Sequence, residues 1–166
     1  MKPVIALGID PGTAACGFGI VASDGASLRL VDAGTVRTDP ALADAARLAE
    51  LEAALDRIVA EHHPDRVAVE RLYFQRNVQT AMAVGQARGV ALLVAARHGL
   101  PVTEPTPNEV KLAVCGNGSA DKAQVAVMVG RLLNVRLNGA ADDATDALAV
   151  AIGALAPGAL ATGAAR

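Results

Sequence analysis

The chain has 166 residues, 52% of them apolar, and 15 basic against 17 acidic side chains give a formal charge of −2. That length holds one sizeable core and excludes two generous domains, and the composition excludes a disordered or repeat-built chain. The apolar start meets Asp10 too early for a secretory signal, and the uncharged residues 147–165 are too rich in Ala and Gly, and too broken by Gly153, Pro157, Gly158 and Gly163, for a bilayer helix.

Strand-like runs come first, at 4–10, 16–22 and 28–37. Their short Gly-bearing connections, Asp10-Pro11-Gly12-Thr13 and Asp24-Gly25, predict antiparallel hairpins. Asp39 then reads as an N-cap with Pro40 at the first helical position. Leu48, Leu51, Leu55, Ile58 and Val59 recur at helical spacing to about residue 62, with acids between them on a face expected to stay in water. His62 and His63, ahead of Pro64, and His98, ahead of Gly99, read as cations at helix C-termini rather than as catalysts. A fourth strand at 66–71, coming after a helix of this length, should lie parallel to the first by a right-handed crossover.

A second long helix is expected at 77–98 and a short fifth strand at 101–105. Thr106-Pro107-Asn108-Glu109 has the form of a capping box, and Ser119 is taken to begin a helix that buries Val125, Met128, Val129, Leu132 and Leu133. The last helix, short and amphipathic, starts near Asp142 and gives way to a frayed tail. This order implies an α/β fold with a mixed sheet and helices packed on its faces. Gly85 and Gly89, four apart on the second long helix, permit a close backbone approach, either to the domain's own sheet or across a dimer seam. Cys16 and Cys115 have no metal-ligand spacing, which predicts reduced, buried thiols and a cytoplasmic setting.

Carboxylates stand out in settings that do not suit charge. Asp10 closes an apolar strand and Glu70 closes another, expected to run beside it, so both negative charges fall at one edge of the sheet. Asp143 and Asp146 share a helix face, as Asp142 and Asp146 also do, and spacing alone does not choose between the two pairs. Clustered carboxylates raise one another's pKa unless a cation neutralises them. Mg²⁺ takes hard oxygen ligands and suits phosphate chemistry, and two such ions can serve the attacking and the leaving oxygen of one displacement. Singly, each acid has a plainer role: Asp10 in an Asx turn, Glu70 at a surface strand end, the others complementing a helix dipole. Their joint occurrence is what points to a metal site.

The charge is unevenly spread. Residues 39–65 carry seven acids against Arg47 and Arg57, whereas residues 66–138 carry nine Lys and Arg against four acids. A local basic surface, not the sum, is what binds phosphate.

Gly8-Ile9-Asp10-Pro11-Gly12, Val69-Glu70 with Tyr73-Phe74, Gly85-Gln86-Ala87-Arg88-Gly89, Lys111 with Gly118-Ser119-Ala120-Asp121-Lys122, and Asp143-Ala144-Thr145-Asp146-Ala147-Leu148-Ala149 follow one another in the order of the RuvC family. From about residue 4 to 155 the chain resembles these bacterial crossover junction endodeoxyribonucleases. The resemblance implies a ribonuclease H-like domain over 1–156, with a five-stranded mixed sheet flanked by helices, and a flexible tail at 157–166. It implies a homodimer that resolves four-way (Holliday) junction DNA by paired symmetric nicks. These leave 3′-hydroxyl and 5′-phosphate ends, with two Mg²⁺ (or Mn²⁺) ions per site and the RuvA and RuvB branch-migration proteins as partners. Carried over residue by residue, the metal ligands fall on Asp10, Glu70, Asp143 and Asp146, which leaves Asp142 as helix N-cap, and Lys111 and Lys122 match positions that contact DNA. The net charge is more acidic than the family pattern, and Arg166 is the only base after Asp146.

Of three aromatics, Tyr73 and Phe74 stand together just beyond Glu70, between Arg71 and Arg76. Tyr73 is expected to stack on an unpaired base, Phe74 to anchor the loop, and the two arginines to hold phosphates. Rival readings are a fragment of an actin-like or sugar-kinase-like ATPase, suggested by Asp10-Pro11-Gly12-Thr13, an RNA-processing nuclease related to RuvC, and a binding module without activity.

Overall fold

The computed structural model describes residues 2–71, 78–137 and 142–156. Within them β1 (Val4–Asp10), β2 (Ala15–Ser23), β3 (Leu28–Arg37), β4 (Arg66–Val69) and β5 (Val102–Thr103) form one sheet in the order β3-β2-β1-β4-β5. The first two neighbouring pairs are antiparallel hairpins, and β4 lies parallel to both β1 and β5. The mixed five-stranded sheet is as expected, although β4 and β5 are shorter than their sequence runs. Thr106 and Glu109 do form the capping box.

The period-two alternation of a strand assigns the two cores. Leu7, Ile9, Val67, Val69 and Ile20 face α1 (Asp44–His62) and α2 (Val78–Arg97). Ala6, Ala68 and Val21 face the opposite side, under α3 (Pro107–Cys115), α4 (Lys122–Leu133) and α5 (Asp142–Leu155). Asp10 and Glu70 have the parity of Ala6 and Ala68, so they stand on the α5 side of the sheet. A bulge in the β2–β3 pairing, where Ile20 opposes Asp32 and Val21 opposes Leu30, leaves Val31 unpaired and moves β3 side chains between faces.

Several boundaries differ from expectation. Asp39 caps a turn, its Oδ1 accepting from the Ala41 amide at 2.8 Å, and the helix begins only at Asp44, with Ala43 as N-cap. The α4 cap is Asp121, in a reciprocal box with Gln124, while the Ser119 amide belongs to the preceding turn on Asn117. Leu132 is exposed instead of buried. Asp142 is the first residue of α5 rather than its cap, and this helix is buried over most of its length rather than amphipathic.

The acidic face of α1 stays at the solvent surface, as expected, and two of its acids form exposed ion pairs there. Glu52 pairs with Arg97 and Asp56 with His98 (2.7 Å), fastening α1 to the end of α2. His62 pairs with Asp32 at 3.1 Å, and His63 is the C-cap residue of α1, in the left-handed region. Cys16 is buried, its thiol pushed up to about 12 chiefly by that burial, and Cys115 is half-buried. No described helix is long and apolar enough to cross a membrane.

Candidate active site

Parallel pairing of β1 with β4 sets the two strand-end acids side by side: Ile9 opposes Val69, and the Glu70 amide donates to the Ile9 carbonyl at 3.2 Å. The third element is α5, which reaches the sheet over a strip of glycines. A Cβ on Gly8 would lie 2.1 Å from the Ala147 carbonyl oxygen, one on Gly19 2.7 Å from the Leu148 amide, and one on Gly17 2.0 Å from the Asp143 carbonyl oxygen. Gly17 is also the register partner of Asp10. The first turn of α5 therefore rests on the strand pair beside Asp10, which brings Asp143 and Asp146 to the same edge as Asp10 and Glu70. Asp10 is not an Asx-turn residue: among the described residues its carboxylate accepts no hydrogen bond, whereas Asp24 does turn chemistry with Ala26 and Ser27.

The electrostatics record this convergence. The Asp10 carboxyl is raised from 3.8 to about 7, first by burial, then by the negative charges of Glu70, Asp146 and Asp143, against the pull of Lys122. Glu70 is raised as well, by burial and then by Asp146, with Lys111 and Lys122 opposing. Lys122, the first residue of α4, donates to Asp146 at 3.0 Å and lies 3.6 Å from Asp142, and the Asp146 bond is the main reason its own pKa is raised. Among the described residues no three His, Cys, Asp or Glu side chains already enclose one point where an ion could sit. The four acids share an edge and Asp10 feels the other three, but their oxygens are not closed around an ion.

Beyond the acids, the Arg71 amide donates to the Pro105 carbonyl at 2.8 Å, and its charge is felt by Glu109 of the capping box. One residue back from Pro105, Glu104 is paired with Arg88 of α2. The connection that starts α3, and with it Lys111, is thus fastened to both β4 and α2. Arg66, Arg88 and Arg97 serve internal contacts, so the basic surface is narrower than the nine-residue count suggests. Tyr73, Phe74 and Arg76 lie outside the described residues. Gly85 and Gly89 have nothing described within 4 Å of an added Cβ, so they do not serve packing on the domain's own sheet.

Sequence reasoning missed Gly17, and it weighed Asp142 only beside Asp146 or as a helix cap, without its proximity to Lys122. Gly8, Gly17 and Gly19 alternate along two paired strands, and Ala144, Ala147 and Ala151 recur in the last helix; together those patterns were the available signal for a close helix–sheet contact.

The family profile described as crossover junction endodeoxyribonuclease RuvC matches residues 6–154. The chain belongs to the RuvC family. It is 51% identical over 147 residues to the RuvC of Chloroflexus aggregans, covering 89% of this chain and 90% of that one. The RuvC of Salinispora arenicola is likewise 51% identical over 147 residues, covering 88% and 84%. Among solved structures, Thermus thermophilus RuvC in complex with a Holliday junction substrate superposes with a TM-score of 0.87 at 35% identity, covering 92% of this chain and 93% of that one. The yeast mitochondrial Holliday junction resolvase Ydc2, at 13% identity and a TM-score of 0.63 over 89% of this chain and 76% of that one, shares the fold. The ribonuclease H-like architecture expected of a RuvC relative is the one present.

Proposed function

We propose that this chain is a Holliday junction resolvase whose cutting site is the edge formed by Asp10, Glu70, Asp143 and Asp146. The observation that carries the reading is the register that sets Asp10 beside Glu70, with the Gly17–Asp143 contact that brings the α5 acids to the same edge, in a chain of the RuvC family. Such a cluster gains nothing as a surface for phosphate unless cations neutralise it. All four donors are hard carboxylate oxygens, the type Mg²⁺ and Mn²⁺ select, and binding has to draw them inward from their present spacing. Two divalent ions bound there would supply Lewis-acid activation of the attacking water and charge stabilisation at the phosphate and the departing 3′ oxygen, a cleavage that leaves 3′-hydroxyl and 5′-phosphate ends.

The chain's own groups do the rest. Asp10 and Glu70, fixed by paired strands, would hold the ions together with Asp143 and Asp146 of α5. Lys111 and Lys122 flank the acids, Arg71 follows Glu70 in the chain, and all three engage phosphates of the bound strand, with Arg76 adding to them. Tyr73 stacks on a base at the opened centre of the junction and Phe74 anchors its loop. In a junction resolvase two such sites act as a homodimer, and the exposed line of α2 suits the seam: Met82 is 63% and Leu93 49% exposed, with the uncovered Gly85 and Gly89 between them. RuvA and RuvB are the partners the family implies, and a cytoplasmic setting with reduced thiols goes with that work. Cleavage of junction DNA but not of a structured precursor RNA separates this function from that of the RNA-processing relatives.

A further inference from the structure

Lys122 stands between two acids of α5 that differ in their access to solvent. Its Nζ lies 3.0 Å from Asp146 Oδ2, in a side chain 34% exposed, and 3.6 Å from Asp142 Oδ2, in a side chain 84% exposed. Asp146 is the inner acid, one of those whose charge Asp10 and Glu70 feel; Asp142 is an outer one and raises neither. A lysine at the start of a helix is electrostatically unfavourable with respect to the helix dipole, so its place at the first position of α4 calls for a compensating partner. Both partners come from α5.

An ammonium bonded to Asp146 and a divalent ion bonded to the same carboxylate oppose each other. They contend for its oxygens, and their like charges repel. We propose that Lys122 is the resident counter-cation of the acidic edge, competing with the divalent ion for Asp146, and that Asp142 is a positioning residue that keeps the ammonium tethered when Asp146 turns to the ion. This deepens the metal assignment made above and rests on it. Tethered at Asp142, the ammonium remains next to the acids, where a phosphate of the bound strand meets it.

The competing account, in which Lys122 preorganises Asp146 for metal, makes the opposite forecast. Removing Lys122 frees the oxygens and deletes a repelling charge, so binding tightens if Lys122 is a competitor and loosens if it is an organiser. The test is calorimetric titration of Mn²⁺ into the DNA-free full chain at low salt, with folding of each variant checked by its thermal melt. Lys122→Met is expected to bind Mn²⁺ about threefold to tenfold more tightly than wild type. Asp142→Asn is expected to weaken binding in the wild-type background, where the ammonium falls back wholly on Asp146, and to change it little in the Lys122→Met background. Equal or weaker affinity in Lys122→Met overturns the competition, and equal weakening by Asp142→Asn in both backgrounds overturns the positioning role. Asp10→Asn separates the two levels of the argument. If it binds Mn²⁺ as wild type does, the metal assignment falls with this inference; if it loses binding while Lys122→Met gains none, this inference alone falls.

Discussion

Gly17 and Asp143 meet backbone to backbone. A Cβ on Gly17 would lie 2.0 Å from the Asp143 carbonyl oxygen and 3.1 Å from the Asp143 Cβ, and Gly17 is itself paired with Asp10 across β1 and β2. Of the three glycines under α5, this one governs the approach of the first-turn acid Asp143 to Asp10.

Gly17→Ala tests that contact. The obstructing atoms are backbone, so the start of α5 must shift, at a cost of ~1–3 kcal/mol or more. The melting temperature should fall by roughly 5 °C or more. Single-turnover cleavage should fall further than junction affinity, because the shift moves Asp143 without touching the basic residues. Wild-type cleavage by this variant would mean that the spacing of α5 is not critical.

Gly89→Leu addresses the seam. An added Cβ meets nothing described within 4 Å, and leucine favours a helix over glycine by about 1 kcal/mol, so the subunit should stay folded. Sedimentation equilibrium should show dimer dissociation raised by at least about tenfold, or ~1.4 kcal/mol. An unchanged dimer would place the seam elsewhere.

The raised Asp10 carboxyl makes the metal-free protein sensitive to pH. Its folded value of about 7 exceeds the 3.8 of a free carboxyl, so the native state keeps a proton that the unfolded chain releases. That stabilisation is complete below about pH 4 and is lost as pH rises through 7, and Glu70, also raised, acts in the same direction. In EDTA, Asp10→Asn should match wild type in unfolding free energy near pH 4 and exceed it at pH 8 by an amount on the order of a few kcal/mol. Mg²⁺ should close that gap by stabilising wild type alone. Parallel pH profiles for the two proteins would contradict the crowding of acids at Asp10.

Junction binding should weaken steeply with salt, because phosphate contacts release counterions. Lys111→Met should weaken binding and reduce the slope of log affinity against log salt by about 1. Tyr73→Ala, which removes stacking worth ~1–3 kcal/mol, should weaken binding with the slope unchanged. Filter binding across a salt series distinguishes the two, and equal slopes for Lys111→Met and wild type would remove Lys111 from the phosphate contacts.

The strand acids were legible in the sequence because an acid that ends an apolar run is conspicuous, and parallel pairing then puts two such ends together. The fold was legible from the same alternation, with the hairpin turns and the Thr106 capping box. Asp39 misled because Asp before Pro serves a turn as readily as a helix start, and the choice lay in contacts with Ala41 and Glu50 rather than in local sequence. The acids of α1 do face solvent, and what spacing did not convey is that two of them pair there with Arg97 and His98, far along the chain. The glycine strip could be read only by matching two strands against a helix more than a hundred residues later. Asp142 needed the position of Lys122, which no spacing conveys.

The most direct measurement is nicking of a synthetic four-way junction beside a linear duplex of the same sequence, with and without Mg²⁺, by wild type, Asp10→Asn and Glu70→Gln. Wild type with Mg²⁺ should place paired symmetric nicks in the junction and leave the duplex intact, while both variants bind the junction at near wild-type affinity and cut it at least about a thousandfold more slowly, a loss of ~4 kcal/mol of transition-state stabilisation. Cleavage that persists in either variant, or in wild type without a divalent ion, would contradict the assignment of these acids.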